Sequence, residues 1–254
     1  MLQINNLDLH TDNLMVLNNI NLNITPGKVT AILGPNGAGK SSLLKTISQD
    51  VTASRGEVHF YHRALKQWPK QELATLLGVL PQESSLHFPF KVFDVVAMGL
   101  YPLSLNQKQG QDIIEGYLDN LSIMHLKERP YPSLSGGEKQ RVQLARVLTQ
   151  LSQARKPPLL LLDEPTSALD LAQQHKVLAL IQHLVSHRQY SVITVLHDLN
   201  LAARYADELI IMKKGQIKKV GSPTHCLTNQ TINEIWDYNP QIITVDVDSI
   251  PVII

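Results

Sequence analysis

Gly34-Pro35-Asn36-Gly37-Ala38-Gly39-Lys40-Ser41, with Ser42 behind it, decides how the rest of the chain reads. The stretch fits G-x-x-x-x-G-K-[ST]. It follows the apolar run from Val29 to Leu33 and opens a segment in which Leu43, Leu44 and Ile47 share one helical face. A buried strand, a glycine-rich turn and a helix, in that order, give this spacing a chemical meaning. Glycines let backbone N–H groups turn inward around phosphate oxygens where a Cβ would collide. The helix that follows aims its positive end at the same anion. Lys40 supplies a point charge suited to β- and γ-phosphates, and the Ser41 hydroxyl is suited to Mg²⁺. The bland alternative is a tight strand–helix turn with an exposed lysine.

A second acidic element lies downstream. Leu159-Leu160-Leu161-Leu162-Asp163-Glu164 is an apolar strand ending in two carboxylates. Ligands of open α/β sheets sit at the carboxyl ends of strands, which places Asp163 to hold a metal, directly or through water. Glu164, on the other side of the pleat, is placed to polarise an attacking water. Alone, the two acids would read equally well as the start of a solvated loop at Pro165. Paired with the phosphate loop, the chemical reading prevails.

The composition sets bounds on the rest. The chain has 254 residues, 43% hydrophobic and 18% charged, enough apolar material for one large domain or a domain with a subdomain. Lys+Arg is 23 against Asp+Glu 22, so no global basic excess argues for nucleic acid as a partner. The one cysteine, Cys226, excludes an internal disulfide framework and fits a reducing compartment. No apolar run approaches the roughly 18 residues that span a bilayer. The start, Met1 to Asn6, lacks a basic n-region and an apolar h-region, so export by a signal peptide is not expected. Any membrane role is expected to come through a partner.

Three zones follow along the chain. Up to about residue 80, strands dominate: Leu2, Ile4, Leu7 and Leu9 alternate with polar residues, as do Ile20, Leu22 and Ile24. From about 85 to 150, helical spacing recurs in the runs Phe93 to Leu100, Ile113 to Leu121 and Glu138 to Leu151, punctuated by Pro89, Pro102, Pro130 and Pro132. From about 157, strand–helix alternation returns, with buried strands at Leu159 to Leu162 and Ser191 to Leu196. The expected fold class is therefore α/β, a nucleotide-binding core with a helical insertion. The cluster Lys213, Lys214, Lys218 and Lys219 around Gly215 reads as a solvated hairpin. Near the end, Ile242, Ile243, Val245 and Val247 alternate like one short strand before Ile250 to Ile254, whose apolar side could pack on the core or on another chain.

Between the two nucleotide motifs stands Leu134-Ser135-Gly136-Gly137-Glu138-Lys139-Gln140-Arg141. Ser135 suits an N-cap, Glu138 follows as in a capping box, and the glycines bare N–H groups for a second anion site. Here the sequence resembles the ATP-binding-cassette ATPases, whose signature is L-S-G-G-Q/E. The resemblance covers nearly the whole chain. It implies a phosphate-loop core with an antiparallel β subdomain. The cassette would span 2–238, with 1–84 and 152–225 as core, 85–151 as helical signature subdomain and 239–254 as a short extension. It implies that Gln82, in Val79-Leu80-Pro81-Gln82-Glu83, reaches Mg²⁺ and the attacking water. Asp170, in Ser167-Ala168-Leu169-Asp170, matches the family's D-loop. His197, 34 residues after Asp163, matches the switch histidine that touches the γ-phosphate. One site departs from the family: the stretch that commonly stacks adenine on an aromatic ring reads Leu9-His10-Thr11-Asp12-Asn13, with no Tyr, Trp or Phe. His10 is the candidate for that role, against an exposed loop histidine.

The resemblance further implies a head-to-tail homodimer binding ATP and Mg²⁺. Lys40, Ser41, Asp163, Glu164, Gln82 and His197 of one chain would face Ser135 and Gly137 of the other. A single cassette without a coiled coil or fused membrane helices resembles the detachable ATPase of a bacterial importer. Its expected partners are two membrane permease chains, with a periplasmic solute-binding protein acting indirectly, at the cytoplasmic face of the inner membrane. Phe88-Pro89-Phe90 falls where the family grips a helix of its permease, although both rings could equally pack inside the helical subdomain. Phe88-Pro89-Phe90, Met98-Gly99, Leu144 to Leu151, Ser167 to His175 and His197 to Asp207 resemble hemin-import subunits of the iron-chelate group. Siderophore and cobalamin importers share much of this, and a soluble ATP-switched interaction module is the rival from another class. The ten histidines form no H-E-x-x-H or C-x-x-C-H pattern and argue nothing about haem.

Overall fold

A computed structural model of the chain describes residues 1–12, 14–82, 86, 88–245 and 250–254. Val247 and, from the segment after Gln82, Glu83, Ser84, Ser85 and His87 lie outside the described residues. The structure divides into two compact units, residues 1–68 with 191–254, and residues 69–190. This division is wider in the middle than the 85–151 insertion expected from sequence. The reason is that strand Leu77–Leu80 pairs in parallel with Leu159–Asp163. The Gln150 side chain of the long helix also donates to the Ala74 and Leu77 carbonyls, tying that strand to the helices.

In the first unit, Leu2–Thr11 and Leu14–Ile24 form an antiparallel ribbon extended by Arg55–Phe60 and Arg63–Ala64. Leu2, Ile4, Leu7 and Leu9 are all buried, though the step from Ile4 to Leu7 is three residues rather than two. A bulge with Asn6 at φ 47° absorbs the extra residue and returns Leu7 to the core face. The unit's other sheet places Val29–Leu33 between parallel neighbours, Ser191–Val195 on one side and Glu208–Lys213 on the other. Val29–Leu33 and Ser191–Val195 are buried along their whole length, which is why they read as continuous apolar runs rather than alternating ones. Helix Lys40–Ile47 carries the expected face, with Leu43, Leu44 and Ile47 buried.

The basic segment forms the hairpin Glu208–Lys213 and Gln216–Gly221. The terminal segment corrects the single strand expected there. Ile242–Val245 and Ile250–Ile253 are two strands paired antiparallel. They dock on their own unit, where the Asn200 side chain makes two hydrogen bonds to the backbone of Ile253, at 2.8 and 3.0 Å.

The second unit gathers helices Val92–Ala97, Gln107–Asn120, Gly136–Leu151 and Leu171–Arg188 beside the Leu77–Leu80 and Leu159–Asp163 pair. The three helical runs read from sequence all appear, the first ending in a 3₁₀ turn at Met98–Leu100. Phe88 and Phe90 do not pack inside. They are 73% and 40% exposed, with ring centroids 6.1 Å apart. Among the described residues, no helix is long and apolar enough to cross a membrane.

Candidate functional site

The first unit carries candidate residues at the carboxyl end of two adjacent parallel strands. Ile32 pairs with Val195, and the Leu196 N–H donates to the Ile32 carbonyl at 3.3 Å. Gly34 and His197 therefore leave the sheet at the same edge, the edge where α/β sheets bind ligands. The loop turns through positive φ at Gly34 (152°), Gly37 (77°) and Gly39 (97°). Gly34 has no alternative residue, because a Cβ there would lie 2.2 Å from the Met212 carbonyl oxygen. The Ala38 N–H closes the turn on the Pro35 carbonyl at 3.1 Å. Helix Lys40–Ile47 begins at Gly39, an N-cap with no side chain, so its first turn opens onto the loop uncapped.

Lys40 is only 6% exposed, and its ammonium donates to the Gly34 and Pro35 carbonyls at 2.8 and 3.1 Å. A buried ammonium beside the loop carbonyls is placed to make charge-assisted hydrogen bonds to an incoming phosphate. Asn36 and Gly37 are exposed, and Ser41 and Ser42 are half-buried on the first helical turn. His197 is exposed, ahead of helix Leu199–Tyr205, whose cap Asp198 accepts from the Asn200 and Leu201 N–H groups at 2.7 and 2.9 Å. His10 is exposed on Leu2–Thr11, directly opposite Met15. The residues after Met15 reach the loop. The Val16 carbonyl oxygen lies 3.0 Å from the position a Cβ on Gly39 would take. His10 thus stands one strand away from the phosphate loop.

The second unit carries its own candidate residues on the same plan. Leu80 pairs in parallel with Leu162, so Gln82 and the pair Asp163-Glu164 leave their strands at one edge. Asp163 is 5% exposed at the strand's end, and Gln82 is exposed. Glu164 adopts φ 53°, the left-handed region that a non-glycine residue enters only when its surroundings enforce it. Pro165 disfavours the ordinary helical alternative. The Glu164 carbonyl is then held by the Gln140 side-chain amide at 2.7 Å and the Ser167 hydroxyl at 3.1 Å. The signature and the segment after Glu164 are therefore linked through Gln140, a connection the sequence did not disclose.

The capping box at Ser135 forms as expected. The Glu138 N–H donates to the Ser135 hydroxyl at 3.3 Å, and the Glu138 carboxylate accepts from the Ser135 N–H at 2.8 Å and hydroxyl at 2.9 Å. These bonds, the backbone one foremost, hold the Glu138 carboxyl below the usual glutamate range. Ser135 and Gly136 are exposed. Gly137 lies so close to Ala168 that a Cβ would sit 2.7 Å from its carbonyl oxygen. Asp170 caps Leu171–Arg188 by accepting from the Gln173 N–H at 2.8 Å.

Two anion-ready turns and two strand-end carboxylates in this order are the parts of an ATP-driven cassette. The ABC transporter family profile matches residues 17–167. The chain belongs to the ABC transporter family. It is an ATP-binding-cassette ATPase, of mixed α/β fold with an antiparallel β portion and a helical region. It is 54% identical over 254 residues to the hemin import ATP-binding protein HmuV of Shewanella denitrificans, covering all of both chains. Among solved structures it is similar to an inward-facing metal-chelate type ABC transporter, at 27% identity and a TM-score of 0.80. That match covers 100% of this chain and 96% of the other. A dimeric ATP-binding cassette in a post-hydrolysis state, bound to ADP and Pi, matches at 25% identity and a TM-score of 0.78, covering 88% of this chain and 99% of that one.

Proposed function

We propose that this ABC ATPase energises hemin import through a membrane permease. The observation that carries the cargo is the end-to-end identity of 54% with a hemin import ATP-binding protein. The likeness to a metal-chelate type transporter supports the same class. The catalytic reading rests on the candidate residues of each unit. Lys40 and the turn from Gly34 to Ser42, through its backbone N–H groups and with Pro35 shaping it, cradle the ATP phosphates, and His10 stacks against the base. Mg²⁺, held by Ser41, Gln82 and Asp163, would neutralise charge on the β- and γ-phosphate oxygens. The buried Asp163 carboxylate and the uncapped helix at Ser41 fit that ion and its phosphates. The Glu164 carboxylate takes the proton of the attacking water, and His197 and Gln82 orient that water and the γ-phosphate.

The working form is a homodimer in which the partner's copy of the signature, Ser135, Gly136 and Gly137 with Asp170 nearby, closes over the triphosphate. The dimeric cassette bound to ADP and Pi supports this arrangement. Residues 1–84 and 152–225 act as the nucleotide core, 85–151 as the signature subdomain and 239–254 as an extension. The exposed Phe88 and Phe90 present the apolar contact expected for a permease helix. Two permease chains hold the dimer at the cytoplasmic face of the inner membrane, and a periplasmic solute-binding protein delivers the cargo.

Reconstitution with the neighbouring permease tests this directly. ATP-dependent uptake of hemin, in preference to a ferric siderophore or cobalamin, is the expected result. Preference for either competitor overturns the cargo. Failure to co-purify with any polytopic membrane protein overturns the transport role and favours a soluble switch.

A further inference from the structure

The basic hairpin does more than face solvent: it touches the phosphate loop at both ends. Near the start, the Met212 carbonyl fills the space beside Gly34. Near the end, Gly215 at the hairpin's tip donates its N–H to the Ala38 carbonyl at 3.0 Å, and its own carbonyl accepts from the Asn18 N–H at 2.9 Å. Both backbone groups of one buried residue are thus committed, one to the loop and one to the strand Leu14–Ile24. Lys214 and Gly215 adopt φ 50° and 73°, the paired left-handed conformation of a tight hairpin turn. The position admits only glycine, since a Cβ would lie 2.4 Å from the Val16 carbonyl oxygen.

The consequence follows from peptide geometry. A trans peptide is planar, so its C=O and N–H point in opposite directions. With the Ala38 carbonyl fastened to Gly215, the Gly39 N–H is held pointing away from the hairpin. We propose that Gly215 is a positioning residue for nucleotide, aiming the Gly39 N–H at a phosphate through the Ala38–Gly39 peptide. The proposal rests on the reading of Gly34 to Ser42 as the nucleotide cradle. An N–H lost from a charged acceptor costs roughly ten- to hundredfold in affinity. Because the donor serves phosphate held in the ground state and transition state alike, KM should rise while kcat at saturating ATP stays.

The full chain is titrated with ADP and ATP by calorimetry, alongside Gly215→Ala and Lys214→Gly. ADP binding by the unsubstituted chain upholds the cradle, and its absence overturns the cradle itself. Gly215→Ala should weaken ADP and ATP by the same factor, roughly ten- to hundredfold, with kcat kept. Lys214→Gly, which only relieves a left-handed lysine, should stay within about twofold. A folded Gly215→Ala chain that binds ADP within about twofold of the unsubstituted chain overturns the proposal. If that variant does not fold, amide exchange of the unsubstituted chain decides. ADP should slow the Gly215 N–H about tenfold more than the Val220 N–H on the same hairpin, and equal slowing overturns it.

Discussion

The phosphate loop and the signature turn both offer backbone N–H groups at the start of a helix, yet they are built in opposite ways. The loop is buried at both ends and glycine-capped, and it is fixed by backbone from elsewhere in its unit: Met212 at Gly34, Val16 at Gly39 and Gly215 at Ala38. No side chain caps its helix. The signature turn is exposed and self-satisfied. Ser135 and Glu138 spend their hydrogen bonds on each other. The first is preorganised to take an anion on its own, at little reorganisation cost. The second has its Ser135 and Glu138 donors occupied until a competitor arrives, which suits the proposed engagement by a second copy.

If that contrast is right, changes on the two sides separate binding from chemistry and assembly. The largest effect is expected at Glu164→Gln, where the proposed proton acceptor is lost and the backbone is not. Phosphate release should fall by roughly 10²- to 10⁴-fold while ATP still binds, and the ATP-bound chain should migrate as a dimer on size exclusion. Unchanged turnover would remove Glu164 from the role of base. Lys40→Ala breaks the other side. Calorimetry should show ATP affinity lower by roughly ten- to hundredfold, because the phosphates lose a charge-assisted donor. Binding at full strength there would contradict the cradle.

The sequence exposed what depends on local pattern. The strand–turn–helix around Lys40, the capping box at Ser135 and the apolar strand before Asp163 each occupy a few consecutive residues, and each appears in the structure. It hid what depends on contacts between distant backbones. Nothing local to Gly215 announces Ala38, because the bond uses main-chain atoms that every residue possesses. Gln140 sits three residues after Gly137 and reads as an ordinary helix surface, yet its amide holds the left-handed Glu164. The terminal hairpin was missed for a related reason. The alternation in Ile242 to Val245 signals a strand, whereas its pairing with Ile250–Ile253 is made between main-chain groups that leave no local pattern.

A smaller effect sharpens the account of the signature turn. Glu138→Ala removes one half of the capping box and should cost about 1 kcal/mol, a lowering of the thermal midpoint by roughly 2–4 °C. The pH dependence has a definite sign. The Ser135 N–H, and after it the Ser135 hydroxyl, hold the folded carboxyl below its usual range. Its stabilisation is therefore complete above the usual glutamate range and fades as the pH falls through the lowered value. Glu138→Gln keeps the acceptor but not the charge. Thermal unfolding followed from neutral to acid pH should find its deficit largest at neutral pH and shrinking on acidification. A deficit that grows with acid would mean the carboxylate is not stabilised by its Ser135 bonds.

The smallest effect belongs to the first unit, three residues beyond His197. Asn200 holds the terminal strand with a two-point amide clamp on Ile253, which mimics one rung of an antiparallel ladder. Its surroundings are exposed, so each hydrogen bond contributes only about 0.5–1.5 kcal/mol. Asn200→Ala should leave the global thermal midpoint almost unchanged while local opening rises. Amide exchange of Ile253, whose N–H donates to Asn200, should accelerate, and the exchange of Val192 in the buried central sheet should not. Asn200→Asp separates the two bonds, because a carboxylate still accepts from the Ile253 N–H but cannot donate to its carbonyl. An intermediate exchange rate in that variant would show both bonds contributing. A rate equal to that of the unsubstituted chain would assign the clamp to the single accepted bond.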